Sequence, residues 1–220
     1  MSPTTQMSDS YITGVLLALA GGFLDAYTYI CRGGVFANAQ TGNIVLLGVH
    51  IAEGRWAAAL VYLAPVAAFF LGICFAEMVK RRFREQTTVH WRQIILGVEI
   101  AVLLLVACLP SSRDMLANTL VSFICSLQVE SFRKVHGNPY ATTMCTGNLR
   151  SATEQIYLYR ITRDRAQLRR SLEYYGVILC FIIGALLGTV FSYWLDLPAV
   201  LIACLFLAIA FLLMFRRVQE

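Results

Sequence analysis

Six stretches of this 220-residue chain (11–30, 56–79, 91–109, 115–132, 172–191 and 198–215) are almost continuously apolar. At about 1.5 Å rise per residue, each reaches or nearly reaches across a hydrocarbon core of about 30 Å. A water-soluble globule of this size could not hide them. Hydrophobic residues make up 58% of the chain and charged residues 14%, against about 25% charged in an ordinary soluble domain. This argues against a soluble enzyme, a nucleic-acid binder or a secreted domain, and makes the lipid bilayer the first partner. Trp56, Trp91 and Trp194 fall at predicted span ends, where indole rings sit at the membrane–water interface. The first ten residues contain no Lys or Arg, so the first stretch reads as a retained span rather than a cleaved leader. The whole chain, 1–220, is read as one integral membrane domain.

The formal charge of +5 takes its meaning from its distribution. Lys80, Arg81, Arg82, Arg84 and Arg92 follow the second stretch. Arg133, Lys134, Arg150, Arg160, Arg163, Arg165, Arg169 and Arg170 follow the fourth, and Arg216 and Arg217 close the chain. Six spans with both termini cytoplasmic put these 15 of the 18 basic residues on one side, leaving only Arg32, Arg55 and Arg113 elsewhere. Eight spans would put the 160–170 cluster outside, against the positive-inside rule. The basic excess is therefore an orientation signal of an inner-membrane protein and not a nucleic-acid patch. The seven cysteines form no Cys-x-x-Cys pair and no zinc-spaced cluster. They read as small core hydrophobes, with neither metal nor cofactor implied.

Thr-Gly-Asn occurs twice, at Thr41–Asn43 and Thr146–Asn148, 105 positions apart. Upstream, Leu24-Asp25 aligns with Leu127-Gln128 and Gly34 with Gly137, at a separation of 103. Downstream, Ala68-x-x-x-Gly72 aligns with Gly184-x-x-x-Gly188 at 116, which places an insertion of eleven residues near 160–170. The chain thus divides into repeats of about 11–109 and 115–215. Three spans per repeat reverse the second repeat in the membrane. The expected fold is all-α, with six transmembrane helices arranged as two inverted three-helix repeats. Each repeat carries a re-entrant or broken short helix at its Thr-Gly-Asn motif, over 44–51 and 149–159.

The run Gly21–Ala26 (GGFLDA), then Gly33–Phe36 (GGVF), then Thr41–Asn43 resembles the YoaK-like family of bacterial membrane proteins. Residues 141–149 (ATTMCTGNL) are similar to that family's second-half motif, and the resemblance covers nearly the whole chain. It implies a multi-span inner-membrane protein and no defined activity. Gln128 departs from the repeat by standing where the first half has Asp25.

Asp25 is an ionisable residue inside a span, where such groups usually face the bundle interior or water. It is a candidate for binding a cation, relaying a proton or simply pairing with Arg32. Gln128 can hydrogen-bond a solute but cannot carry a proton. Thr41 and Thr146 read as helix N-caps, Gly42 and Gly147 as sites of close backbone approach, and Asn43 and Asn148 as amides facing the path. Asn38 and Thr143 flank the motifs and complete the expected substrate and ion path. Two helix N-termini aimed at that path would favour an anionic or neutral hydrogen-bonding solute. Glu99 and His50 rank below these, and Glu130 reads as a neutraliser of Arg133. Ala68, Gly72, Gly184 and Gly188 are small-residue packing positions. Packing of repeat on repeat is preferred for them over a homo-oligomer, most simply a dimer.

No nucleophile elbow, zinc-protease helix, phosphate loop or dinucleotide fingerprint occurs in the sequence, so no enzyme is expected. The expectation is a transporter or channel for a small polar or anionic solute. The alternative is a non-transporting membrane scaffold or assembly protein.

Overall fold

The computed structural model describes residues 10–83, 90–135, 138–140, 142–143 and 145–215. Arg84, Arg216 and Arg217 of the charge partition, Gly137 of the repeat, and Ala141 and Met144 of the second motif lie outside them. Eight α-helices form the described chain: α1 (Tyr11–Cys31), α2 (Gln40–Ala52), α3 (Trp56–Phe83), α4 (Trp91–Ala107), α5 (Asp114–Ser131), α6 (Cys145–Thr162), α7 (Arg165–Leu195) and α8 (Val200–Leu213). Besides them are two single 3-10 turns, Ser111–Arg113 and Leu197–Ala199, and a minimal antiparallel pair, Lys134–Val135 with Asn138–Pro139. α1, α3 and α7 are long and apolar enough to cross a membrane. α4 and α8 have 17 and 14 residues, and α5 is interrupted by polar side chains such as Asn118, Ser122, Ser126 and Gln128.

Helix ends follow local chemistry. Ser10 caps α1 by accepting from the Thr13 N–H at 3.2 Å, and Gly33 and Gly34, at φ +79° and +77°, end it. That left-handed pair lets the Gly34 N–H bond back to the Tyr29 carbonyl at 3.1 Å and turns the chain around. His90 and Gln93 make a reciprocal capping box at the start of α4. Asp164 caps α7 through the Ala166 N–H at 2.9 Å.

The core is built by α1, α4, α5 and α8, where Leu17, Phe23, Tyr27, Leu96, Leu103, Val121, Leu127 and Leu207 interlock. α7 lies along α1, and α3 lies along α5. α2 packs chiefly on α3, and α6 on α7. α1 meets α8, α5 meets α4, and α4 meets α8. Burial follows this order: 61% of the apolar window of α1 is buried, against 22% for α3 and for α7. The outer helices turn their apolar side chains outward, as Leu60, Phe70, Leu71, Leu179, Ile182 and Leu186 show. In a membrane protein that surface is the one lipid wets.

The two short apolar runs fold as helical-hairpin arms. α2 turns into α3 through Gly54 at φ +70°, and α6 turns into α7 through Arg163 at φ +58°. The eleven-residue insertion does not form a separate loop. α6 has 18 residues against 13 in α2, and α7 begins 19 residues before Gly184 while α3 begins 12 before Ala68. The α6–α7 hairpin is therefore longer in both arms than the α2–α3 hairpin.

Candidate functional site

Beyond Gly33 and Gly34 the chain runs back along α1, which brings Asn38 level with Asp25. The Asn38 N–H donates to Asp25 Oδ1 at 2.8 Å, and its amide donates to the Gly21 carbonyl at 3.0 Å. Ser122 of α5 holds the same turn by donating to the Ala37 carbonyl at 2.8 Å. The second half supplies the opposite side. The Gln128 amide donates to Thr142 Oγ1 at 2.8 Å and to the Leu17 carbonyl of α1 at 3.2 Å. Thr143 packs against Gly21, where a built Cβ would come within 2.6 Å of its methyl group. Asp25, Asn38, Gln128 and Thr143 thus converge on one stretch of α1, and none is more than 9% exposed.

Glu99 of α4 is 1% exposed, with Oε1 unbonded. Asn38 Oδ1 is also buried without a hydrogen-bond partner. Cys125 of α5 links the two, lying beside the Asn38 amide and within electrostatic range of both Asp25 and Glu99. Cys145, the first residue of α6, is within range of Asp25 as well. Among the described residues neither carboxyl has an ion pair. Buried carboxyls in that state require a proton, a cation or a hydrogen-bonding solute. Sequence reasoning ranked Glu99 low, although a lone acid in the middle of an apolar helix was the signal for it.

The structure corrects the reading of Arg32 as the partner of Asp25. Arg32 is fully buried and points to the other end of the core. It donates to Tyr27 Oη at 3.0 Å, to the carbonyls of Val106, Leu109 and Pro110 at 2.9, 3.0 and 3.3 Å, and to Asp114 Oδ1 at 3.1 Å. It therefore closes the open carbonyl end of α4, as a cation at a helix C-terminus does. Tyr27 passes the network to the turn before α8 by donating to the Leu197 carbonyl at 3.1 Å.

The Thr-Gly-Asn motifs also differ from expectation. Thr41 is not the N-cap of α2: that position is Ala39, with no side-chain cap. Thr146 lies inside α6, and both threonines are exposed. Gly42 and Gly147 have nothing within 4 Å of a built Cβ, so neither serves close approach. The asparagines are the buried members, at 1% and 3% exposure for Asn43 and Asn148. The Asn43 amide reaches back to the Phe36 carbonyl at 2.9 Å and to Gln40 Oε1 at 3.1 Å, pinning the first turn of α2 to the loop before it. The preference for anions that rested on capping threonines loses that support.

The small residues lie where helices touch. Gly72 sits against Phe123 and Ser126 of α5, Gly184 against Leu19 of α1, and Gly188 against Phe23, where a built Cβ would come within 2.6 Å of the carbonyl oxygen. Ala68 is 6% exposed. Gly22 of the GGFLDA run presses on Phe181 and Ala185 of α7, a role the motif did not announce.

Over residues 13–213 the chain matches the family described as protein of unknown function DUF1275. It is 27% identical over 181 residues to the UPF0700 transmembrane protein YoaK of Bacillus subtilis (strain 168), covering 78% of this chain and 79% of that protein. No solved structure matches it. With a family match over nearly its whole length and three helices fit to span a bilayer, this chain is a membrane protein belonging to the DUF1275 family.

Proposed function

We propose that the protein moves a small polar solute across the membrane, along a path between its two halves. In this reading the halves are inverted repeats with six spans in all, both termini are cytoplasmic, and α2 and α6 enter from opposite faces. Helix pairing supports it: exchanging α1–α4 for α5–α8 maps α1 on α7 to α5 on α3, α2 on α3 to α6 on α7, and α1 on α8 to α5 on α4. A pseudo-two-fold axis gives this pattern, and inverted repeats of this kind are common among transporters.

The observation that carries the proposal is the meeting of the two crossing segments, at Asn38 and at Thr142–Thr143, on the same stretch of α1 beside Asp25. Two carboxyls with no ion pair favour a cation or a neutral hydrogen-bond donor over an anion. Asp25, Asn43, Gln128 and Asn148 are each at most 7% exposed, a burial that the scaffold alternative accounts for directly and that transport accommodates only if the cluster opens. A scaffold or assembly protein would keep the same cluster as a rigid polar core that accepts no solute.

A thermal-shift screen of the purified protein against solute pools distinguishes these, because a specific ligand raises the unfolding midpoint by mass action. Uptake of the hit into proteoliposomes follows. Failure of every pool, together with no uptake, would overturn the transport reading. The topology is checked by Arg165→Cys in a Cys-less background. Labelling from the periplasmic side would overturn the six-span arrangement.

A further inference from the structure

We propose that the cleft at the tip of the α6–α7 hairpin binds the headgroup of an anionic phospholipid. The cleft has a volume of about 620 Å³ and is walled by Arg165, Leu168, Arg169, Leu172 and Glu173 of α7, with Tyr159 of α6 and Tyr11 of α1 beside them. The five α7 residues recur at i, i+3, i+4, i+7 and i+8, which places them on one helix face. The arginines lie toward the hairpin tip, and Leu172 opens the apolar run of the span. The site therefore straddles the boundary between polar and apolar surface. Guanidinium groups meet a phosphate at its upper edge and leucines meet the first acyl carbons at its lower edge. The flanking tyrosines suit the same interfacial depth.

Charge singles out this hairpin. Its lengthened tip carries Arg160, Arg163, Arg165, Arg169 and Arg170 against Asp164 and Glu173. The tip of the α2–α3 hairpin carries Arg55 bonded to Glu53 and little else. Arg165 has no acidic partner among the described residues. Arg169 pairs at 3.2 Å with Glu173, whose side chain is 19% exposed and also lines the cleft, so a phosphate competes with that carboxylate for Arg169 while Arg165 stands open to it. The site stands whether or not a solute crosses the protein.

The test is lipid titration of the delipidated full-length protein in detergent, read by unfolding midpoint and by native mass spectrometry. Phosphatidylglycerol and cardiolipin are compared with phosphatidylcholine and with inorganic phosphate. The two anionic lipids should raise the midpoint and remain as adducts, while phosphatidylcholine and phosphate should not. Arg165→Gln/Arg169→Gln should weaken anionic-lipid binding about thirty-fold, from about 1 kcal/mol per arginine, with its lipid-free midpoint unchanged. Arg160→Gln/Arg163→Gln removes equal charge outside the cleft and should keep most of the binding. Undiminished binding in the first variant, equal loss in the second, or stabilisation by phosphate alone would each overturn the assignment.

Discussion

Replacing Arg32 by Met tests the reassignment of that residue from partner of Asp25 to lock of α4. The guanidinium makes five hydrogen bonds. Two of them, to Tyr27 Oη and the Val106 carbonyl, are wholly buried, and charged hydrogen bonds contribute about 1.5–3 kcal/mol each. The other three border water and can be partly replaced by it. Arg32→Met should therefore cost about 3–5 kcal/mol, in the range seen when a buried charged network loses one member. Asp114 is 29% exposed at its side chain, so Asp114→Asn should cost only about 1 kcal/mol. Arg32→Lys should recover little, because an ammonium cannot match the planar fork that reaches two helices and a tyrosine at once. Reversible unfolding in mixed micelles measures all three. The decisive measurement is the double variant Asp25→Asn/Arg32→Met, whose losses should add within about 0.5 kcal/mol. Arg32→Met within 1 kcal/mol of the parent protein, or compensation between the two substitutions, would refute this account.

Three further expectations follow from the contacts. Gly22→Ala and Gly72→Ala put a methyl group into the backbone or side chains of α7 and α5 and should each cost about 1–3 kcal/mol, read as a lowered midpoint. Gly42→Ala and Gly147→Ala meet open space inside helices and should gain up to about 1 kcal/mol; a loss of stability at either would show a contact the fold does not contain. Asp25→Asn keeps an oxygen for the Asn38 N–H, so the midpoint should barely move while solute accumulation in proteoliposomes is lost; unaltered accumulation would remove Asp25 from the mechanism.

The helices that build the core were legible because their signal is local. The first span was expected over 11–30 and α1 runs Tyr11–Cys31, while Trp56 and Trp91 each begin a helix. α2 and α6 were legible only as short apolar runs, because α6 alternates apolar residues with Arg150, Glu154 and Arg160 and takes its support from α7. Partner choice was the least legible. Arg32 is seven residues from Asp25 but pairs with a residue 82 positions away, a contact set by how α4 and α5 meet. The same holds for Thr41, which sequence pattern made a cap while the anchoring falls to Asn43 through a loop carbonyl.

The lock on α4 bears on how the chain is made. Arg32 leaves the ribosome more than seventy residues ahead of every carbonyl it will hold in the α4–α5 turn, and 82 ahead of Asp114. While synthesis passes through α2 and α3, α1 carries at its end a guanidinium with no lasting protein partner beyond Tyr27, a costly group to draw toward lipid. The end of α1 thus gains its full set of partners only once the turn after α4 and the first residue of α5 have been made. A chain cut before residue 106 lacks every carbonyl that closes around Arg32 and leaves that charge with Tyr27 alone.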